Sequence, residues 1–232
     1  MRKVTRMALK INASIRATRV GGRRLLSAIR AIVFHYTANT GSSATALGNA
    51  RYFANGSEGR AASAHFVVDE GDTVYQCVPL DVVAWAVGDG QSGKFGKVYN
   101  NYNTVSIEMV SHTDASGKYY IPDATMKNAA RLYQMLLKQL PGVQAAIRHY
   151  DISMKLCPLP LIDETKWADF KKLLEEVDEV VTKAKMIVDG KEVEVERILK
   201  DGTNYIKIRD IAKALDLDVS NKGNIAILNH KQ

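Results

Sequence analysis

The chain has 232 residues, 46% hydrophobic and 25% charged, with 32 Lys and Arg against 25 Asp and Glu for a formal net charge of +7. Such a length and balance suit a soluble globular protein with one sizeable core and a small second unit, not a disordered or fibrous chain. No apolar run approaches the roughly 20 residues that a membrane helix needs. The positive excess fits a polyanionic partner, whether nucleic acid or an anionic wall polymer, and fits a generically soluble basic surface equally well.

Residues 1–30 carry Arg2, Lys3, Arg6, Lys10, Arg16, Arg19, Arg23, Arg24 and Arg30 with no acidic residue among them. No aromatic residue is interleaved to stack bases, so nucleic acid is not the expected partner and a wall-facing or solvated segment is. The basic start is followed by no continuous apolar segment and no small-residue cleavage site, which predicts a cytoplasmic protein without a secretory signal. Ala31 to Tyr36 then places Ile32, Phe34 and Tyr36 on one face and Val33 and His35 on the other, the pattern of a buried strand. His35 falls at its carboxyl end, where α/β sheets hold ligands.

Ser43 is the expected cap of a helix from about Ala44 to Ala54, closed by Asn55-Gly56. Ala64 to Val68 and Thr73 to Val78 read as a hairpin joined by Asp69 to Asp72, with Cys77 as core filling. A loop from Trp85 to Gly90 precedes another strand, Asn103 to Val110. Glu108 lies within that strand, exposed at an edge, paired, or facing a cavity, because an unpaired buried charge is expensive. Asp123 is expected to cap a helix whose Met126, Ala130, Tyr133, Leu137 and Leu140 form a core stripe ending at Pro141-Gly142. A last long helix is predicted from near Glu164 to Lys183, with Trp167, Phe170, Leu174, Val177, Val181 and Ala184 as its apolar seam.

The chemistry concentrates in Arg148-His149-Tyr150-Asp151-Ile152-Ser153-Met154-Lys155-Leu156-Cys157-Pro158. Neutral imidazole and thiolate are zinc's preferred ligands, and three protein ligands with one open position make a hydrolytic site. The loop supplies His149 and Cys157, and His35 is the best candidate for the third. Taken singly, His149 reads as a satisfied core histidine and Cys157 as a small buried hydrophobe; only together do they point to a metal.

Four segments together resemble the zinc-dependent N-acetylmuramoyl-L-alanine amidases, the family that includes phage lysis amidases and peptidoglycan recognition proteins. They are His35-Tyr36-Thr37-Ala38, Ser63-Ala64-His65-Phe66, Ile107-Glu108, and His149-Tyr150-Asp151 with Lys155-Leu156-Cys157-Pro158, spanning about residues 28–170. The resemblance implies an α/β fold with a mixed central β-sheet flanked by helices. It also implies Zn²⁺ on His35, His149 and Cys157, with Glu108 and Lys155 as catalytic residues and His65 and Trp85 at the substrate. Many relatives have histidine where this chain has Ala86, so any role of that residue does not carry over. His65 stays open between a substrate contact and a hydrogen-bonded core histidine, Lys155 between the metal site and the surface, and Asp151 between shaping the loop and orienting a histidine.

At Lys185-Met186 the pattern changes. Met186 to Val195 reads as a hairpin around Asp189-Gly190, Tyr205 to Ile208 as a strand, Arg209 to Leu215 as a helix and Ile225 to Leu228 as a closing strand. This tail resembles modules named after the amino-terminal domain of copper amine oxidases, which occur on bacterial wall-associated proteins. The expected division is a catalytic domain over 1–178, a linker or helix end over 179–185, and a small α+β domain over 186–232 for wall binding or self-association. The implied activity is cleavage of the bond between N-acetylmuramic acid and L-alanine in peptidoglycan, for phage-induced lysis. The alternatives are a non-catalytic peptidoglycan-binding protein and a basic nucleic-acid-binding protein.

Overall fold

The computed structural model describes residues 9–175, 181–200, 203–223 and 225–231, so Arg2, Lys3 and Arg6 of the basic segment lie outside the described residues. The chain forms two compact units, Leu9–Val177 and Asp178–Gln232. In the first, the strands are β1 (Lys10–Asn12), β2 (Val20–Arg23), β3 (Ala31–Tyr36), β4 (Phe66–Val68), β5 (Thr73–Gln76), β6 (Val82–Ala84), β7 (Thr104–Met109), β8 (His112–Thr113), β9 (Tyr119–Tyr120) and β10 (Ala145–Arg148). The helices are α1 (Ala46–Ala54), α2 (Asp123–Gln139), α3 (Tyr150–Ser153) and α4 (Glu164–Glu175).

Six strands make one mixed sheet in the order β1-β5-β4-β7-β3-β10. Only the β4 to β5 hairpin is antiparallel within it; β4, β7, β3 and β10 run parallel. β3 is buried on both faces. Its Ile32 and Phe34 join the main core, while Ala31 and Val33 pack with Val87, Tyr99, Ile147 and Ile152. Phe34 is clamped edge-on by Phe170 of α4 at 5.0 Å between ring centroids, and Trp167 stands at 6.2 Å. This sheet with helices against it is the α/β architecture expected. Among the described residues no helix is long and apolar enough to cross a membrane.

Several local expectations are corrected. The cap of α1 is Thr45, whose hydroxyl accepts from the Gly48 N–H, not Ser43. Pro122 occupies the cap position of α2 and Asp123 its first turn, where a carboxylate still complements the helix dipole. The buried face of α2 is centred on Ala129, Leu132, Leu136 and the following Leu140, so Leu137 lies beside the stripe and not in it. α4 is described only to Glu175, and Val181 to Lys183 belong to a strand; Val177 lies outside the described residues.

Nor is the first basic segment simply solvated. Arg24 is buried at 5% exposure, its Nε donating to Leu80 O and its Nη1 to Asn101 O, Tyr102 O and Thr104 O at 2.6 to 3.1 Å. Burial lowers the pKa of this guanidinium to about 10, against the raising influence of Tyr102 and Asp81. Replacing Arg24 with methionine keeps much of the apolar stem but leaves these carbonyls without a donor. Unsatisfied buried groups cost about 1 to 3 kcal/mol each before relaxation, so a loss of about 3 kcal/mol and a melting temperature lower by roughly 6 to 12 °C are expected. A thermal melt unchanged within 2 °C or so would remove the guanidinium from the list of structural supports.

The second unit holds β11 (Val181–Val188), β12 (Lys191–Lys200), β13 (Thr203–Ile206), α5 (Ile208–Ala214), β14 (Leu217–Lys222) and β15 (Ile225–His230). β11, β12 and β13 form an antiparallel sheet, and β14 and β15 a separate ribbon. Asp189 and Gly190 turn the first hairpin with φ of 48° and 73°, the doubly positive pair that a two-residue turn of this hand requires. β14 was not anticipated, and Ile208 opens α5 instead of ending a strand. Of the described apolar side chains here only Val195 and Ala212 are buried, whereas Ile187 and Ile225 are 74% and 68% exposed.

Candidate metal centre

β7, β3 and β10 are neighbours and end on the same side, so their carboxyl ends form one polar edge above an apolar sheet. The register sets His35 beside Glu108. His149 follows β10 directly, its N–H donating to Phe34 O at 3.3 Å. Thus Glu108, His35 and His149 leave three adjacent strands in a row.

Cys157 is brought to the same edge by a folded-back loop. Arg148 is buried, its backbone N–H and guanidinium both donating to the Asp151 carboxylate at 2.8 Å, with further bonds to Leu161 O, Ile162 O and Glu164. The Tyr150 N–H closes the loop on Cys157 O at 2.8 Å. Asp151 therefore shapes the loop, the first of its two readings.

The donor atoms of His35, His149 and Cys157 all lie within 4.8 Å of one another, and the three residues are 2%, 2% and 4% exposed. Cys157 Sγ stands 3.7 Å from His35 Nδ1. Two ligands of one tetrahedral zinc, at about 2.3 Å for sulfur and about 2.0 Å for nitrogen, are about 3.5 Å apart, so the spacing matches a shared metal. His149 Nδ1 is buried with no hydrogen-bond partner among the described residues, as a nitrogen reserved for a cation would be. Burial holds both imidazoles neutral, depressing His35 well below its ordinary value with help from His149 and Lys155, and lowering His149 despite the opposing Asp89. Burial first, and then Glu108, pushes the Cys157 thiol up, so its thiolate form calls for a compensating cation. The donor set fits Zn²⁺ with a fourth position open.

Glu108 Oε2 is buried without a partner among the described residues. Burial raises its pKa to about 8, with the positive charge of Lys155 pulling the other way. The Lys155 side chain is 60% exposed, with Nζ 3.5 Å from Asp89 Oδ2, so it stands at the rim of the site and reaches the buried groups through its charge.

His65 lies in the core. It is fully buried, its Nδ1 accepts from the Ser106 N–H at 3.1 Å, and its Nε2 faces Val82 O at 3.1 Å and Arg24 Nη2 at 2.7 Å. Burial and the Arg24 charge lower its pKa to about 3. Both nitrogens serve the core. Trp85 instead lines a surface groove of about 510 Å³ with Val83, Val87, Gly88, Gly90 and Tyr102, next to the loop that carries Asp89.

Asp89 escaped the sequence reading. Its Oδ1 is 2.6 Å from His149 Nε2. Burial alone would raise this carboxyl, but the hydrogen bond with His149, aided by the Lys155 charge, holds it below its usual range. Nothing in local spacing connects residues 89 and 149; the signal available was an acidic residue between two glycines in a loop following an apolar strand.

A family profile described as N-acetylmuramoyl-L-alanine amidase matches residues 25–160, more than half of the chain and the segment holding all three candidate ligands. Among curated relatives, N-acetylmuramoyl-L-alanine amidase CwlL of Bacillus licheniformis is 29% identical over 223 residues, covering 93% of this chain and 59% of that protein. BlyA of Bacillus subtilis is 30% identical over 159 residues, covering 63% and 41%. The chain therefore spans about three fifths or less of the length of these relatives. A solved structure of PlyL superposes with a TM-score of 0.52 at 20% identity, covering 73% of this chain and 96% of that one, which is a likeness of fold.

Proposed function

We propose, since this chain belongs to the N-acetylmuramoyl-L-alanine amidase family, that it hydrolyses the amide between N-acetylmuramic acid and L-alanine in peptidoglycan. The observation that carries the reading is the convergence of His35, His149 and Cys157 beside Glu108, whose Oε2 is buried without a partner among the described residues, within the matched segment. A zinc ion held by those three would supply Lewis acidity, polarising the amide carbonyl and making water nucleophilic near neutral pH.

In this reading Glu108 takes the proton of the attacking water and returns it to the leaving amine. A carboxyl with a pKa of about 8 lies close enough to neutral pH to pass a proton in both directions. Lys155, at the rim, offers its ammonium to the negative oxygen that develops on the carbonyl. Trp85 and its groove supply an apolar face for the glycan or stem peptide. The biological setting that suits these parts is lysis of a host wall by a phage enzyme made in the cytoplasm and released onto peptidoglycan.

Residues 178–232 complete the proposal as a wall-binding or self-associating unit, with anionic wall polymers as partners. It is supported by the two buried apolar side chains and the exposed Ile187 and Ile225, since so small a core leans on something else. One digestion tests both parts. The full chain is expected to release new L-alanine amino groups from purified peptidoglycan without new reducing sugars, losing this with a chelator and regaining it with zinc. A fragment ending at Val177 should cut soluble muropeptide at a similar rate while binding intact walls more weakly. New reducing ends would reject the amidase, and equal wall binding by monomeric forms of both lengths would reject the tail's role.

A further inference from the structure

His149 presents two nitrogens to different surroundings. Nδ1 is buried and unpartnered among the described residues, whereas Nε2 is 2.6 Å from Asp89 Oδ1. The loop that delivers Asp89 is fastened on both sides. Asn101 Oδ1 accepts from the N–H groups of Ala86 and Val87 at 3.0 and 2.8 Å, and Val87 is buried against Ile147 and Ile152. Beyond it, the Gly93 N–H donates to Ile152 O at 2.8 Å, at an approach so close that a Cβ on Gly93 would lie 2.6 Å from the Asp151 backbone. A carboxylate so anchored fixes both the tautomer and the tilt of a ring it accepts from.

We infer that Asp89 is a positioning residue for the metal site, accepting from His149 Nε2–H so that Nδ1 carries the lone pair toward His35 and Cys157. The inference rests on the metal site proposed above. The same carboxylate also has Oδ2 3.5 Å from Lys155 Nζ, so one side chain ties the ligand histidine to the ammonium at the rim. Without that acceptor, the buried imidazole is free to adopt the other tautomer, in which Nδ1 holds a proton and cannot bind a cation.

The test is zinc affinity of the full chain, measured by competition with a chromophoric chelator, beside the melting temperature of the metal-free protein. Asp89→Ala is expected to raise the zinc dissociation constant about 10- to 100-fold. Asp89→Asn, which keeps an acceptor but loses the charge, should fall between it and the parent. The metal-free melting temperatures should agree, and the Co(II)-loaded variants should keep the thiolate band and the band shape of the parent. Equal dissociation constants for all three proteins would overturn the inference while leaving the metal site standing. So would a changed Co(II) coordination spectrum, which would make Asp89 a ligand, or a lower metal-free melting temperature with unaltered affinity, which would make it a brace. If the parent chain binds no zinc, the metal site itself fails and the inference with it.

Discussion

Serine in place of Cys157 is expected to weaken zinc binding by more than about 100-fold, exceeding what loss of a hydrogen bond to a ligand costs, and to remove turnover in proportion. The reason lies in the thiol's surroundings. Cys157 is 4% exposed, and burial and the neighbouring Glu108 both disfavour its ionised form. A thiol still ionises there once a divalent cation compensates the charge, because the sulfur–zinc bond is strong and a thiol's proton is comparatively easy to release. A hydroxyl is far harder to ionise and gives the cation a weak neutral oxygen. The two remaining ligands, His35 and His149, cannot by themselves hold the metal in a closed geometry. Metal analysis after dialysis and amide hydrolysis on muropeptide check the two halves separately. Full zinc stoichiometry in the serine variant would take Cys157 out of the ligand set.

The parts of this molecule that were legible in the sequence are those specified by short-range pattern. The alternation over Ala31 to Tyr36 places Phe34 in the main core and His35 at a strand end, because strand side chains alternate with period two. Asp189-Gly190 marks its hairpin because few other pairs adopt two successive positive φ angles. His35, His149 and Cys157, which the fold brings within 4.8 Å of one another, stood out in the sequence because residue type is itself chemical information. What stayed hidden depends on contacts between distant segments. Arg24 looks like one more surface cation until the chain folds the carbonyls of Leu80, Asn101, Tyr102 and Thr104 around it. Asp89 meets His149 across 60 residues. The overlong final helix has a different cause: Val181 and Ala184 fit a helical seam and a strand equally well, and short apolar runs do not separate the two periods.

Glutamine at Glu108 separates catalysis from metal binding, and its expected result is a fall in kcat of about 10²- to 10³-fold with zinc content unchanged. Glu108 pairs in register with His35 across β7 and β3 but is proposed to donate nothing to the cation. The substitution keeps volume and hydrogen-bonding reach, so the packing of the two strands should survive. What it removes is the ability to carry a proton. Burial raises this carboxyl to about 8 while the Lys155 charge draws it down, so its protonation state responds to its neighbours. An amide neither takes the proton of water nor returns one to the leaving amine, and the loss therefore falls on kcat while KM stays near the parent value. Steady-state kinetics on soluble muropeptide with parallel metal analysis decide the matter. A fully active Glu108→Gln would pass the proton to another group, and Tyr36, the residue after His35 and close enough to Cys157 and Glu108 for their charges to act on its phenol, would be the next side chain to replace.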